Sequence, residues 1–312
     1  MSEQAFRRAQ RAGGERSESG RIVAGMLAPH PPHLVYAENP PQNEPRAECG
    51  WEPLRWGYER ARKDLAAHPF DVIVVHSPHW QTYVGTHFLG VPRFDSLSVD
   101  PVFPNLFRFK YTLDVDVELA EAIEAEARGA GLVTKMMRNP DFRVDYGTIV
   151  ACHMTRPEWD VPIVGVSSNR STAYYGVDVM QEQAAELGRA TRRAIEASGR
   201  RALLLASNSL SHRHFTSESA VPEDMSREHV YHHGQYLWDM RVIQLMKQGR
   251  TRELIDVMPE FIEQAVSEAD AGSLAWLMSA LDYPAYPAEV YAYGTVIGTG
   301  NAVAGWFPGA SA

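Results

Sequence analysis

The chain has 312 residues, 45% hydrophobic and 22% charged, with a formal net charge of −9, the balance of an ordinary soluble globular protein. An acidic balance without any long Lys/Arg run excludes a basic nucleic-acid footprint, and no window is apolar over the length of a membrane span. The two cysteines, Cys49 and Cys152, are far apart; they form neither a disulfide framework nor a cysteine zinc site, the pattern of a reduced, cytoplasmic protein.

Residues 1–20 are polar and rich in Arg, Glu, Ser and Gly, with no apolar stretch. They predict a disordered extension, and Glu3, Glu15 and Glu18 argue against a transit peptide. Order is expected from Arg21. Ile22–Ala28 reads as a buried strand that stops at Pro29-His30-Pro31-Pro32-His33, with a Pro/Asn loop over 39–46 after it. Residues 52–67 carry helical spacing, with Leu54, Tyr58, Ala61 and Leu65 on one face. Asp71–Val75 is a second buried strand, closed by His76-Ser77-Pro78-His79-Trp80.

Val115–Arg128 and Gln181–Ser198 read as helices, Val161–Val166 as a strand, and Ala202–Ala206 as a strand running into Ser207-Asn208-Ser209-Leu210-Ser211-His212. A mostly helical stretch from about Gln235 to Leu281 precedes a strand at Glu289–Val296 and a glycine-rich turn at Gly298–Gly300. No repeat or linker interrupts residues 21–312, so one α/β domain with a helical insertion is expected.

Of the twelve histidines, His68, His229, His232 and His233 lie in polar stretches and read as surface residues. His30, His33, His76, His79 and His212 each follow a predicted buried strand. One such histidine reads as a loop residue satisfied by backbone. Three strand ends delivering them to one sheet edge point to a site, because ligands gather beyond the carboxyl ends of strands in open α/β sheets. Two histidines and a carboxylate form the facial triad of non-haem Fe(II) oxygenases, which leaves the opposite face of the metal open. Spacing does not choose the carboxylate: Glu260, Glu263, Glu268 and Asp270 fall in one amphipathic helical segment, where acidic residues are usually a solvated face. Nor do the residues alone choose the metal, since Zn²⁺ on two His and one Glu would make a hydrolase.

Four motifs stand in one order: Leu27-Ala28-Pro29-His30-Pro31-Pro32-His33, Val75-His76-Ser77-Pro78-His79-Trp80, Asp145-Tyr146-Gly147-Thr148 and Ser207-Asn208-Ser209-Leu210-Ser211-His212. Together they resemble the class III extradiol ring-cleavage dioxygenases, enzymes built like the protocatechuate 4,5-dioxygenase β subunit. The agreement extends from about residue 21 to about residue 306. The resemblance implies a three-layer α/β sandwich with a central mixed sheet. It implies Fe(II) held by His30, His79 and Glu268, with His212 as the acid–base residue. Tyr146 stands where catechol-cleaving relatives commonly carry histidine. That departure fits the branch opening 2-aminophenols to a 2-aminomuconic 6-semialdehyde, with a catechol such as protocatechuate as the alternative substrate. His33 and His76 belong to the motifs but are expected to orient loops or line the pocket rather than to bind metal. The implied partners are a small aromatic substrate, O₂ and a homologous non-catalytic α subunit in an α₂β₂ assembly, or self-association in its place. A zinc hydrolase and a non-catalytic binding subunit are the readings from other classes. The complete set of His30, His79, Glu268 and His212 argues against the second.

Overall fold

A computed structural model describes residues 19–35, 50–101, 104, 107–171, 174–215 and 229–309. The expected extension, apart from Ser19 and Gly20, and the loop over 39–46 lie outside the described residues, as does Cys49. The strands are β1 (Arg21–Leu27), β2 (Val72–Thr82), β3 (Thr86–Leu89), β4 (Arg93–Val99), β5 (Arg108–Asp114), β6 (Thr134–Met137), β7 (Ile163–Asn169), β8 (Arg201–Ala206), β9 (Glu289–Val296) and β10 (Thr299–Trp306). The helices are α1 (Glu52–Leu65), α2 (Val117–Gly129), α3 (Tyr146–Thr155), α4 (Val177–Ser198), α5 (His233–Lys247), α6 (Thr251–Asp256), α7 (Met258–Ala265) and α8 (Gly272–Ala280).

Eight strands form one mixed sheet in the order β6-β3-β7-β2-β8-β1-β10-β9, and β4 with β5 forms a separate hairpin. The middle of the sheet is parallel, β2 with β7 and with β8, and β8 with β1. Helices cover both faces, which is why β2 and β8 read as unbroken apolar runs rather than alternating ones. Successive residues nevertheless face opposite cores. Val72, Val74, Ala202 and Leu204 join Leu119, Ile123, Leu187, Ile195 and Trp276 on one side, from α2, α4 and α8. Ile73, Val75, Leu203 and Leu205 join Leu54, Tyr58, Ala61 and Ile149 on the other, from α1 and α3. The result is the expected three-layer α/β sandwich around a mixed sheet.

Several elements lay outside the sequence reading. β4 and β5 alternate between buried and exposed positions, so they have no apolar run. α3 is buried nearly all round, so it has no amphipathic period. The glycine-rich turn at Gly298–Gly300 continues into β10, an interior strand of sequence TGNAVAGW with every residue buried. Its Gly, Ala and Asn are weak strand formers, and pairing to β1 and β9 outweighs propensity there.

Candidate metal centre

β1, β8 and β2 are adjacent and parallel, so their carboxyl ends open at one edge of the sheet. After β1, the Tyr58 hydroxyl on α1 donates to the Pro29 carbonyl at 2.6 Å and holds the turn that carries His30, 5% exposed. β2 delivers His79 through a bulge. Pro78 has no N–H for the ladder, and the pairing of β2 with β7 slips between Ser77 and Gln81, turning His79 out of register.

Glu268 arrives from the helical side. The segment read as one helix breaks: α7 ends at Ala265, Val266 is left-handed at φ 51°, and Glu268 opens a short 3₁₀ turn. The next three residues, Ala269, Asp270 and Ala271, have φ of 47°, 53° and 52°. The Glu268 N–H donates to the Leu210 carbonyl at 3.2 Å, and Asn208 Nδ2 donates to the Glu268 carbonyl at 3.2 Å. The loop after β8 therefore fastens the turn. Of the other acids considered, Glu260 and Glu263 are exposed on α7, and Asp270 lies 3.5 Å from Arg170.

The three side chains meet. His30 Nε2 is 3.3 Å and His79 Nε2 3.2 Å from Glu268 Oε1, and one ligand atom from each lies within 4.8 Å of the others. Two donors about 2.1 Å from an ion and at right angles stand about 3.0 Å apart, close to this spacing. Among the described residues this is the one cluster of at least three such groups.

The hydrogen bonds around the cluster fit a cation. Ser207 Oγ donates to the Gly147 carbonyl at 2.8 Å, so it accepts from His30 Nδ1–H at 2.9 Å and leaves Nε2 a bare lone pair. Glu268 Oε2 accepts from Ser209 N–H at 2.6 Å and Asn208 Nδ2 at 3.3 Å. Oε1, in contrast, is buried with no hydrogen-bond donor in line with it. A bare nitrogen and a carboxylate oxygen at that separation repel unless positive charge lies between them. The acid–base balance agrees. Burial alone would raise the Glu268 carboxyl, yet the imidazoles of His30, His212 and His79 that face it hold it well below the usual range. Burial would lower His79, yet its contact with the Glu268 carboxylate raises it.

The surroundings leave one side open. His30 and Glu268 are buried, while the His79 and His212 side chains are 23% and 26% exposed. His212 Nε2 lies 3.8 Å from Glu268 Oε1, and its Nδ1 pairs with Ser209 Oγ at 2.7 Å. Burial pulls its pKa down to about 4, so the imidazole is neutral at pH 7. Tyr146 is the first residue of α3, where Asp145 is the N-cap. Asp145 Oδ1 accepts from Thr148 N–H at 2.9 Å and from Ser77 Oγ at 2.5 Å, which ties the helix to β2. The Tyr146 hydroxyl is 2.9 Å from His79 Nε2, and burial, with Asp100 and Glu268 nearby, raises its pKa far enough to keep it a phenol.

His33 sits in the 3₁₀ turn Pro32–Val35. His76 is away from the cluster, 3% exposed; its Nδ1 lies 2.8 Å from Ser273 Oγ and its ring stacks on Trp276. Burial pushes its pKa to about 3, so it too is neutral. Ser207, Asn208 and Ser209 lie in the fourth motif, and sequence alone gives them no role. The available signal was a run of hydrogen-bonding residues directly after a buried strand. His214, with its ring 4.8 Å from His212, carried no signal of its own.

Residues 24–304 match the family described as the catalytic LigB subunit of aromatic ring-opening dioxygenase. The 2-aminophenol 1,6-dioxygenase β subunit of a Pseudomonas species is 56% identical over 92% of this chain and 94% of its own length. The α subunit under the same enzyme name, also from Pseudomonas, is 27% identical over 81% of this chain and 90% of its own. The 3,4-dihydroxyphenylacetate 2,3-dioxygenase of Escherichia coli is 22% identical over 87% and 94%. Among solved structures, an uncharacterised protein of Escherichia coli K12 superposes with a TM-score of 0.56 over 91% of this chain and 99% of that one. At 14% identity it bears on the fold alone. No described helix is long and apolar enough to cross a membrane.

Proposed function

Because the chain belongs to the LigB family, the catalytic subunits of aromatic ring-opening dioxygenases, we propose that it uses O₂ to open 2-aminophenol, or a ring-substituted 2-aminophenol, at an Fe(II) centre held by His30, His79 and Glu268. The observation that carries the metal assignment is the buried, undonated Oε1 of Glu268 facing two histidine nitrogens. The identity to the Pseudomonas β subunit supports the substrate, as does Tyr146 in place of histidine. The product of 2-aminophenol itself is a 2-aminomuconic 6-semialdehyde.

Iron held by His30, His79 and Glu268 would supply the redox chemistry that couples the aromatic substrate to O₂. The protein's residues do the rest. Burial of His30 and Glu268 keeps water from the rear of the cluster. His212, neutral and 3.8 Å from Glu268 Oε1, takes the substrate hydroxyl proton at Nε2 and later returns it to an oxygen of the opening ring. Ser209, paired with Nδ1, holds the imidazole in that orientation. The Tyr146 phenol, 2.9 Å from His79 Nε2 at the cluster, would donate a hydrogen bond to the substrate's heteroatom.

Residues 21–312 are read as one catalytic unit, supported by the family match over 24–304. The α/β pairing in the names of two relatives supports assembly with a homologous α subunit. Two cysteines in the whole chain support a reducing cytoplasm. The reaction is tested by loading the protein with Fe(II) anaerobically and following O₂ uptake and ring-opened product against 2-aminophenol, substituted aminophenols and catechols. Turnover of 2-aminophenol with one O₂ per product is expected. Preference for a catechol such as protocatechuate would overturn the substrate, and zinc-dependent hydrolysis without O₂ uptake would overturn the reaction. Light scattering with and without a co-expressed α subunit tests the assembly; a fully active homo-oligomer would remove the partner.

A further inference from the structure

Behind the loop that carries His212 lies a carboxylate the chemistry above does not use. Asp239, on α5, is 0% exposed. Its Oδ1 accepts from Ser211 N–H at 2.9 Å, and its Oδ2 accepts from Ser211 Oγ and from the Tyr293 hydroxyl, each at 2.8 Å. No ion pair to it occurs among the described residues. Gly300 on β10 packs against the same oxygen: a Cβ there would fall 1.8 Å from Oδ2, so the position accommodates the carboxylate only as glycine. Burying a carboxylate among neutral donors is costly, and burial pushes this one up to about 6 against the pull of its Ser211 and Tyr293 bonds.

The residue so held is a junction. Two positions before Ser211, Ser209 gives its N–H to Glu268 Oε2, and its hydroxyl oxygen pairs with His212 Nδ1. One position after it is His212. The backbone between belongs to no named strand. It is held by isolated bridges of Ser211 to Ser267 and His212 to Thr299, and by Gly300 N–H donating to the Ser211 carbonyl at 2.9 Å. We infer that Asp239 is a positioning residue: it clamps Ser211 so that Ser209 and His212 stay in register with the metal cluster. Its effect on His212 rests on the proposed reaction; its effect on Glu268 does not.

The test compares wild type, Asp239→Asn and Asp116→Asn. Asp116 caps α2 through Leu119 N–H and is a buried carboxylate remote from the cluster, so its loss reports general destabilisation. Co(II) alone, titrated anaerobically and read by visible absorption, probes the cluster without turnover. Partners of metal ligands typically contribute 10–100-fold in metal affinity, and one step further out about tenfold is expected. Asp239→Asn should raise the Co(II) Kd about tenfold, and with saturating Fe(II) lower kcat about as much with KM nearly unchanged. Asp116→Asn should lower the melting temperature and leave both readings alone. Wild-type Co(II) affinity and kcat in Asp239→Asn, or equal losses in Asp116→Asn, would overturn the inference. If Asp239→Asn fails to fold, Ser211→Ala and Tyr293→Phe, which each remove one donor, decide it: wild-type Kd and kcat in both count against the clamp. A wild type that binds Co(II) but consumes no O₂ with 2-aminophenol refutes the reaction, while the Co(II) comparison still judges Asp239.

Discussion

His30 and His79 reach the cluster on the ends of β1 and β2, whereas Glu268 reaches it on a turn followed by three left-handed, non-glycine residues. The strand ends need no special backbone at the histidines: the ladder is already stable, and one bulge at Pro78 suffices to aim His79. The turn is different. Three left-handed residues in succession cost on the order of 3 kcal/mol, and the structure offsets this through the bonds that Glu268 accepts and gives across to residues 208–210. The lesson is that the imidazoles are placed by regular structure and the carboxylate by long-range bonding. Damage should therefore propagate differently from the two sides.

The largest effect is expected from Glu268→Gln. A neutral amide supplies no anionic oxygen at Oε1, so iron content and turnover should both be lost, while Glu263→Gln, exposed on α7, stays as wild type. Metal analysis and O₂ uptake decide this; the reverse pattern would move the ligand to Glu263. His212→Asn should keep iron and bind substrate yet lose ~10²–10⁴-fold in rate, the usual range for general acid–base catalysis. Single-turnover kinetics on preloaded enzyme mixed with O₂ measure it.

Tyr146→Phe removes one hydroxyl, worth ~1.5–3 kcal/mol when it bonds a charged group, or roughly ten- to a hundredfold in rate. The same single-turnover experiment reads it, and a loss equal to that of His212→Asn would mean the tyrosine shares the proton transfer.

Two smaller changes separate the sides of the cluster. Gly147→Ala places a Cβ 2.7 Å from Ser77 Oγ and 3.1 Å from the His79 ring. It should weaken Co(II) binding about tenfold, although alanine is the better helix former. An isothermal titration matching wild type would show that the strand side has slack. Ala269→Gly relieves one left-handed residue at φ 47°, so it should stabilise the fold by up to about 1 kcal/mol. A lower denaturant midpoint, the ordinary outcome for Ala→Gly, would mean the turn is not strained.

The strands β1, β2 and β8 were legible because continuous apolar runs, closed by Pro, His or Ser, are what a strand buried on both faces requires. β4, β5, α3 and β10 were not, since alternation, all-round burial and a Gly/Ala-rich strand each hide the expected period. The same divide runs through the candidate site. The position of His30, directly beyond a buried run, made it a candidate, and His79 was one for the same reason. Asp239 was invisible, because a lone acid in a helix has the pattern of a solvated face until its partners are known.

The sequence by itself determined that histidines would cluster at one sheet edge, because strand ends in a parallel sheet have nowhere else to deliver them. Helical spacing did not determine which acid would join them; only the family resemblance singled out Glu268. Glu260, Glu263, Glu268 and Asp270 share one apparently helical segment, and helical spacing is a local property. The tertiary structure made the choice by breaking that helix at Val266 and offering Glu268 donors from Asn208 and Ser209, about sixty positions away. Contacts across that separation form only when the sheet and the helical layer are already in place.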